Sequence, residues 1–117
     1  IETSHSHGRD VLRDVAPLGR DLRAAIPDVY AGFGQTHQAA LAPGALDTKM
    51  KELVALAIAV VQQCDGCIAS HARGVAKAGA TQQEVAEAIG VSILMAGGPA
   101  TVYGPRALAA FTDFATG

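Results

Sequence analysis

From Arg9 onward, apolar side chains recur at intervals of three and four: Val11, Leu12, Val15, Leu18, Leu22 and Ile26. That period lays them along one helix face, and Pro17 inside the run predicts a bend or a break. Pro27 suits a first helical turn, so a second helix is expected through Val29, Tyr30, Phe33 and Leu41, ended by Ala42-Pro43-Gly44. Asp47 or Thr48 can cap a third helix through Met50, Leu53, Leu56, Ile58 and Val61. It is apolar on nearly every side and is expected to be the buried central helix. After a break at Cys64-Asp65-Gly66-Cys67, a fourth helix carries Ile68, Ala72 and Val75 and stops at Gly79. Thr81 and Glu84 have the spacing of a capping box for a fifth, through Val85, Ile89 and Leu94, which Gly97-Gly98-Pro99 ends. A last helix holds Val102, Leu108, Phe111 and Phe114, with Gly104-Pro105 disturbing its beginning. No stretch alternates long enough for a strand and no repeat is present. The pattern therefore predicts one all-α domain of five or six helices over residues 9–117, preceded by a flexible polar tail, residues 1–8. His5 and His7 in that tail are too few to make a metal site.

Composition sharpens this picture. Aromatics are only 4% of the 117 residues and Trp is absent, while Ala is the commonest residue, so small side chains must close the core between helices. Charged residues are 17%, below the roughly 25% usual for globular chains, which points to a surface partly covered by other copies of the chain. A net charge of -2 gives no electrostatic case for nucleic acid or anionic lipid. The longest apolar run, Leu53 to Val61, is far shorter than the roughly 18 residues of a membrane span. Two closely spaced cysteines, without a recognisable secretory signal before them, suit a reducing compartment such as the cytoplasm.

The chemistry concentrates in C-D-G-C-I-A-S-H, residues 64–71. Cys64 and Cys67 lie three apart across a helix start, within disulfide range and on nearly the same face. As a structural staple the pair would be poor, because so short a ring removes little entropy from the unfolded chain. As three zinc ligands, Cys64, Cys67 and His71 have no second C-x-x-C to complete them. Redox chemistry is favoured instead: a helix N-terminus stabilises a thiolate, and His71, one turn beyond Cys67, can take its proton. Glu52 is the remaining candidate, an acid in a helix whose later turns carry no charge. Folding the third and fourth helices back on each other places Glu52 opposite about residue 76, leaving roughly 7–8 Å along the axis to His71. Glu52 thus has two readings: an acid favoured by the dipole near a helix N-terminus, or the end of a relay from Cys67 through His71 and one water. His37, Tyr103 and Arg106 could line the same pocket, more as structural than as catalytic groups.

At this point the sequence resembles a known family. E-L-V-A-L-A-I-A-V-V-Q-Q-C-D-G-C-I-A-S-H, followed by A-K-A-G-A-T-Q-Q-E-V-A-E-A-I, is similar to the carboxymuconolactone decarboxylase superfamily, and within it to the alkylhydroperoxidase D-like branch, over roughly residues 28–115. The resemblance implies an all-helical subunit assembled as a homo-oligomer, trimer or hexamer, and a thiol peroxidase reducing hydroperoxides at the expense of a dithiol reductant, lipoyl-type or thioredoxin-like. Carried onto this chain it makes Cys67 the peroxidatic cysteine, Cys64 the resolving one, and Glu52 with His71 the proton relay. No cofactor is implied. Gly66 stands where some alkylhydroperoxidase D proteins have a His before the second Cys. The decarboxylase proper lacks the C-x-x-C pair. Lactone decarboxylation, or a non-catalytic redox-sensing assembly, are the competing functions.

Overall fold

The computed structural model describes residues 5–116. Six helices follow one another: α1 (Arg9–Ala25), α2 (Pro27–Leu41), α3 (Thr48–Val61), α4 (Asp65–Lys77), α5 (Gln82–Ala96) and α6 (Gly98–Ala115). No strand occurs among the described residues, and none of the described helices is long and apolar enough to cross a membrane.

Side-chain caps fix the starts of α3 and α5. Asp47 accepts the Met50 N–H at the start of α3, and Thr81 and Glu84 form the reciprocal capping box of α5. Neither proline breaks its helix: Pro17 lies inside α1 and Pro105 inside α6. Each costs a backbone hydrogen bond to the residue four before it, Arg13 and Thr101; both are exposed, so water can satisfy the freed carbonyl.

Helices α3 to α6 enclose the core. Leu56, Val60, Ile68, Val75 and Val85 are fully enclosed, and Ala72, Ala107 and Ala110 let the backbones come close. Gly104 makes one such approach possible, since a Cβ there would meet the Ile89 side chain at 2.6 Å. The buried Ser92 hydroxyl donates to the Ala57 carbonyl at 2.8 Å, tying α5 to α3. The third helix is less enclosed than its composition suggests. One face is buried through Leu53, Leu56 and Val60, but Val54, Ile58 and Val61 on the other are exposed. Helices α4 and α5 pack most extensively against it, with smaller contacts from α6 and α2.

Helices α1 and α2 form an arm that contributes no buried residue. Of the expected tail, residues 1–4 lie outside the described residues. Residues 5–8 carry the chain into α1: Ser6 and Asp10 bond each other's backbone N–H reciprocally, at 2.8 and 2.9 Å, and Gly8 is buried against α6. Asp113 of α6 accepts the Arg9 N–H at 2.8 Å, capping α1 from the far end of the chain.

Candidate active site

The turn between α3 and α4 is built before either cysteine is reached. Gln63 N–H donates to Val60 and Cys64 N–H to Ala59, the paired bonds of a Schellman motif, with Gln63 in the left-handed position at φ 57°. That turn delivers Cys64 to the N-cap of α4, where its sulfur accepts the Cys67 N–H at 3.2 Å. Cys64 and Cys67 are joined as a disulfide with Cα atoms 5.2 Å apart. Both cysteines are half-buried, at the end of a helix whose unpaired N–H groups favour a negative sulfur once the bond is reduced.

One turn beyond Cys67, His71 Nδ1 meets Glu52 Oε1 at 2.7 Å, with the two side chains only 20% and 11% exposed. The contact is direct, so the expected bridging water has no place between them. The reason lies in the register. Glu52 faces Gly74 rather than residue 76, and any Cβ at Gly74 would run into its carboxylate. Three residues, instead of five, then separate that point from His71, within the reach of a Glu side chain. A carboxylate on Nδ1 holds the ring proton there and leaves Nε2 as the basic nitrogen.

No motif marks Gly74. Its signal was a glycine in the interior of a helix, which costs about 1 kcal/mol against Ala and so asks for a packing reason.

The further candidates also come together around the pair. His37 reaches across from α2 and stacks on His71, with ring centroids 5.9 Å apart and planes 16° from parallel. Arg106 Nη1 lies 3.2 Å from both carboxylate oxygens of Asp65, the residue after Cys64, and its guanidinium stands 4.4 Å over the Tyr103 ring. Among the described residues no group of three or more His, Cys, Asp or Glu side chains converges in a metal-binding arrangement. Away from these residues, α3 and α5 flank an apolar groove of about 500 Å³ lined by Met50, Val54, Ile58 and Val91.

Residues 27–113 match the model of the carboxymuconolactone decarboxylase family. An uncharacterised protein of Cupriavidus necator is 34% identical over 102 residues, 87% of either chain. Uncharacterised protein 4 of the cox locus of Paracoccus denitrificans is 37% identical over 100 residues, 84% of this chain and 87% of its own. Among solved structures, an apo carboxymuconolactone decarboxylase family protein of Legionella pneumophila superposes with a TM-score of 0.85 at 40% identity, over 90% of this chain and 94% of its own. A Thermotoga maritima protein does so with a TM-score of 0.79 at 25% identity, over 90% and 92%. The matched region contains the cysteine pair, His71 and Glu52, and the chain belongs to the carboxymuconolactone decarboxylase family.

Proposed function

We propose that this protein is a thiol-dependent peroxidase and disulfide oxidoreductase of the alkylhydroperoxidase D-like kind. The observation that carries the reading is the direct His71–Glu52 pair one helical turn from a cysteine pair at disulfide distance. In the proposed cycle, His71 Nε2 takes the Cys67 proton and the thiolate attacks the outer peroxide oxygen. The O–O bond breaks, Cys67 becomes a sulfenic acid, and the alkoxide leaves as an alcohol with the proton returned by His71. Glu52 fixes the ring tautomer and stabilises the imidazolium in between. Cys64 then attacks the Cys67 sulfur, hydroxide leaves as water, and the disulfide forms; a lipoyl-type or thioredoxin-like dithiol reduces it, taking up the oxidation. Such a donor belongs to a reducing compartment such as the cytoplasm. The exposed apolar face of α3 and α5 supports assembly with further copies of the chain, as a trimer or hexamer.

Mass spectrometry of the reduced protein, before and after one equivalent of an organic hydroperoxide, tests the cycle. Rapid formation of the Cys64–Cys67 disulfide is expected. Unchanged thiols with turnover of a lactone would replace this reading by decarboxylation, and unchanged thiols with neither turnover would leave a helical assembly without this chemistry. Glu52→Gln tests the relay: disulfide formation should slow by on the order of 10²–10⁴, with the fold retained. A wild-type rate would remove Glu52 from the mechanism.

A further inference from the structure

Asp65 sits uneasily in a site built to make thiolates. It occupies the first position of α4, directly after Cys64 and two residues before Cys67. A carboxylate there competes with a cysteine sulfur for the same partial positive charge and repels it. The other titratable groups facing this end of α4 are His71 on α4, bonded to Glu52 on α3, and His37 on α2, stacked on the His71 ring, and none of them touches the Asp65 carboxylate. The compensating cation comes from α6, the helix packed along α4. Arg106 places one guanidinium nitrogen 3.2 Å from each Asp65 oxygen, and its planar group lies 4.4 Å over the Tyr103 ring. Carboxylate and ring together hold the guanidinium in one orientation, and with 34% of the side chain exposed it is partly shielded from water.

We infer that Arg106 is a positioning residue for the cysteine pair, cancelling the Asp65 carboxylate at the N-terminus of α4 so that the helix end remains favourable to a thiolate. This rests on the redox reading of Cys64 and Cys67 above. It has a signature that a purely structural ion pair lacks. Breaking a structural pair from either side disturbs the turn in the same sense, whereas removing the cation and removing the anion must move the thiols in opposite senses. Unit charges some 6–8 Å apart in a largely hydrated setting change an equilibrium constant about two- to fivefold.

The test is the pH profile of iodoacetamide alkylation of the reduced protein, with the dithiol–disulfide equilibrium against glutathione measured in parallel. Arg106→Gln should lower the thiolate fraction at pH 7 about two- to fivefold and move the glutathione equilibrium toward the disulfide. Asp65→Asn should raise the fraction by a similar factor. The double variant should return to within about twofold of wild type, Arg106→Lys should recover most of the loss, and 0.5 M salt should shrink every difference. Shifts of the same sign in the two single variants, or none in either, overturn the inference. Alkylation needs no peroxide, so its outcome stands apart from that of the proposed activity, which fails if wild type forms no disulfide with hydroperoxide.

Discussion

The first two helical hairpins of the chain are built alike and end up differently. Helices α1 and α2 have 17 and 15 residues, α3 and α4 have 14 and 13, and all four carry apolar residues at helical spacing. Yet the second hairpin buries nine side chains, five on α3 and four on α4, and the first buries none. Leu18 is 70% exposed and Phe33 66%, while Leu56 is fully enclosed. Periodicity thus decides that a segment is helical and which side is apolar; whether that side is covered depends on neighbours that the local sequence does not encode. The site belongs to the covered hairpin, where a carboxylate and an imidazole can be held against each other, and the arm reaches it through His37.

The largest effect that would sharpen this contrast is on stability. Leu56→Ala should cost about 2–5 kcal/mol in urea unfolding, as a large-to-small change inside a closed core. Leu22→Ala on the arm, half exposed, should cost within about 0.5 kcal/mol in a dilute monomer. A loss at Leu22 that grows with protein concentration would show the arm to be covered in an assembly. Equal losses in dilute solution would break the comparison.

Gly74→Ala comes next. The added methyl must displace the Glu52 carboxylate, so a stability loss of about 1–3 kcal/mol is expected together with the slowed thiol oxidation of Glu52→Gln. Gly90→Ala in α5 is the control, because a Cβ at that position meets nothing and it lies outside the cysteine turn. Stopped-flow oxidation kinetics and thermal melts on both variants separate a packing role for Gly74 from a general effect of helix glycines.

The two turns that close α3 and α4 give a smaller test and show what the sequence could and could not tell. Each is a Schellman motif: Gly79 and Ala80 donate to Ala76 and Val75 after α4 as Gln63 and Cys64 donate to Val60 and Ala59 after α3. Gly79, at φ 84°, is legible because glycine is the usual occupant of that position. Gln63, in the same conformation, is not, and a turn closed at Gln63 goes with the register that sets Glu52 opposite Gly74 and in direct contact with His71. The helices, the caps of α3 and α5 and the clustering of Cys64, Cys67 and His71 follow from local pattern. Gly74 beneath Glu52 and Asp65 under Arg106 depend on how α3 and α6 lie against α4, which no local pattern records. Gln63→Gly should therefore stabilise the protein by about 0.5–1 kcal/mol by relieving the left-handed conformation, and Gly79→Gln should destabilise it by about as much. A loss of stability on Gln63→Gly would mean that its side chain holds the turn.

The smallest effect concerns the bond between arm and body. Asp113 of α6 accepts the first N–H of α1, that of Arg9, since Gly8 offers no side chain there, while the local Ser6 hydroxyl accepts the next, that of Asp10. The Arg9 N–H is the main reason the Asp113 carboxyl is held below the ordinary value of 3.8, with the Arg9 charge adding to it. A carboxylate lowered in the folded state binds fewer protons there than in the unfolded chain, so its contribution is complete above the unfolded value and disappears as the pH falls through the folded one. Asp113→Asn keeps the shape but not the charge. It should cost at most about 1 kcal/mol at pH 7, as caps do, and the difference from wild type should be flat from pH 7 to about 5 and shrink below that. Urea unfolding of the two proteins between pH 7 and 3 measures it. A difference that stayed constant down to pH 3 would mean that the carboxylate charge contributes nothing to holding the arm, and that the docking of α1 rests on uncharged hydrogen bonding and on its packing against α4 and α6.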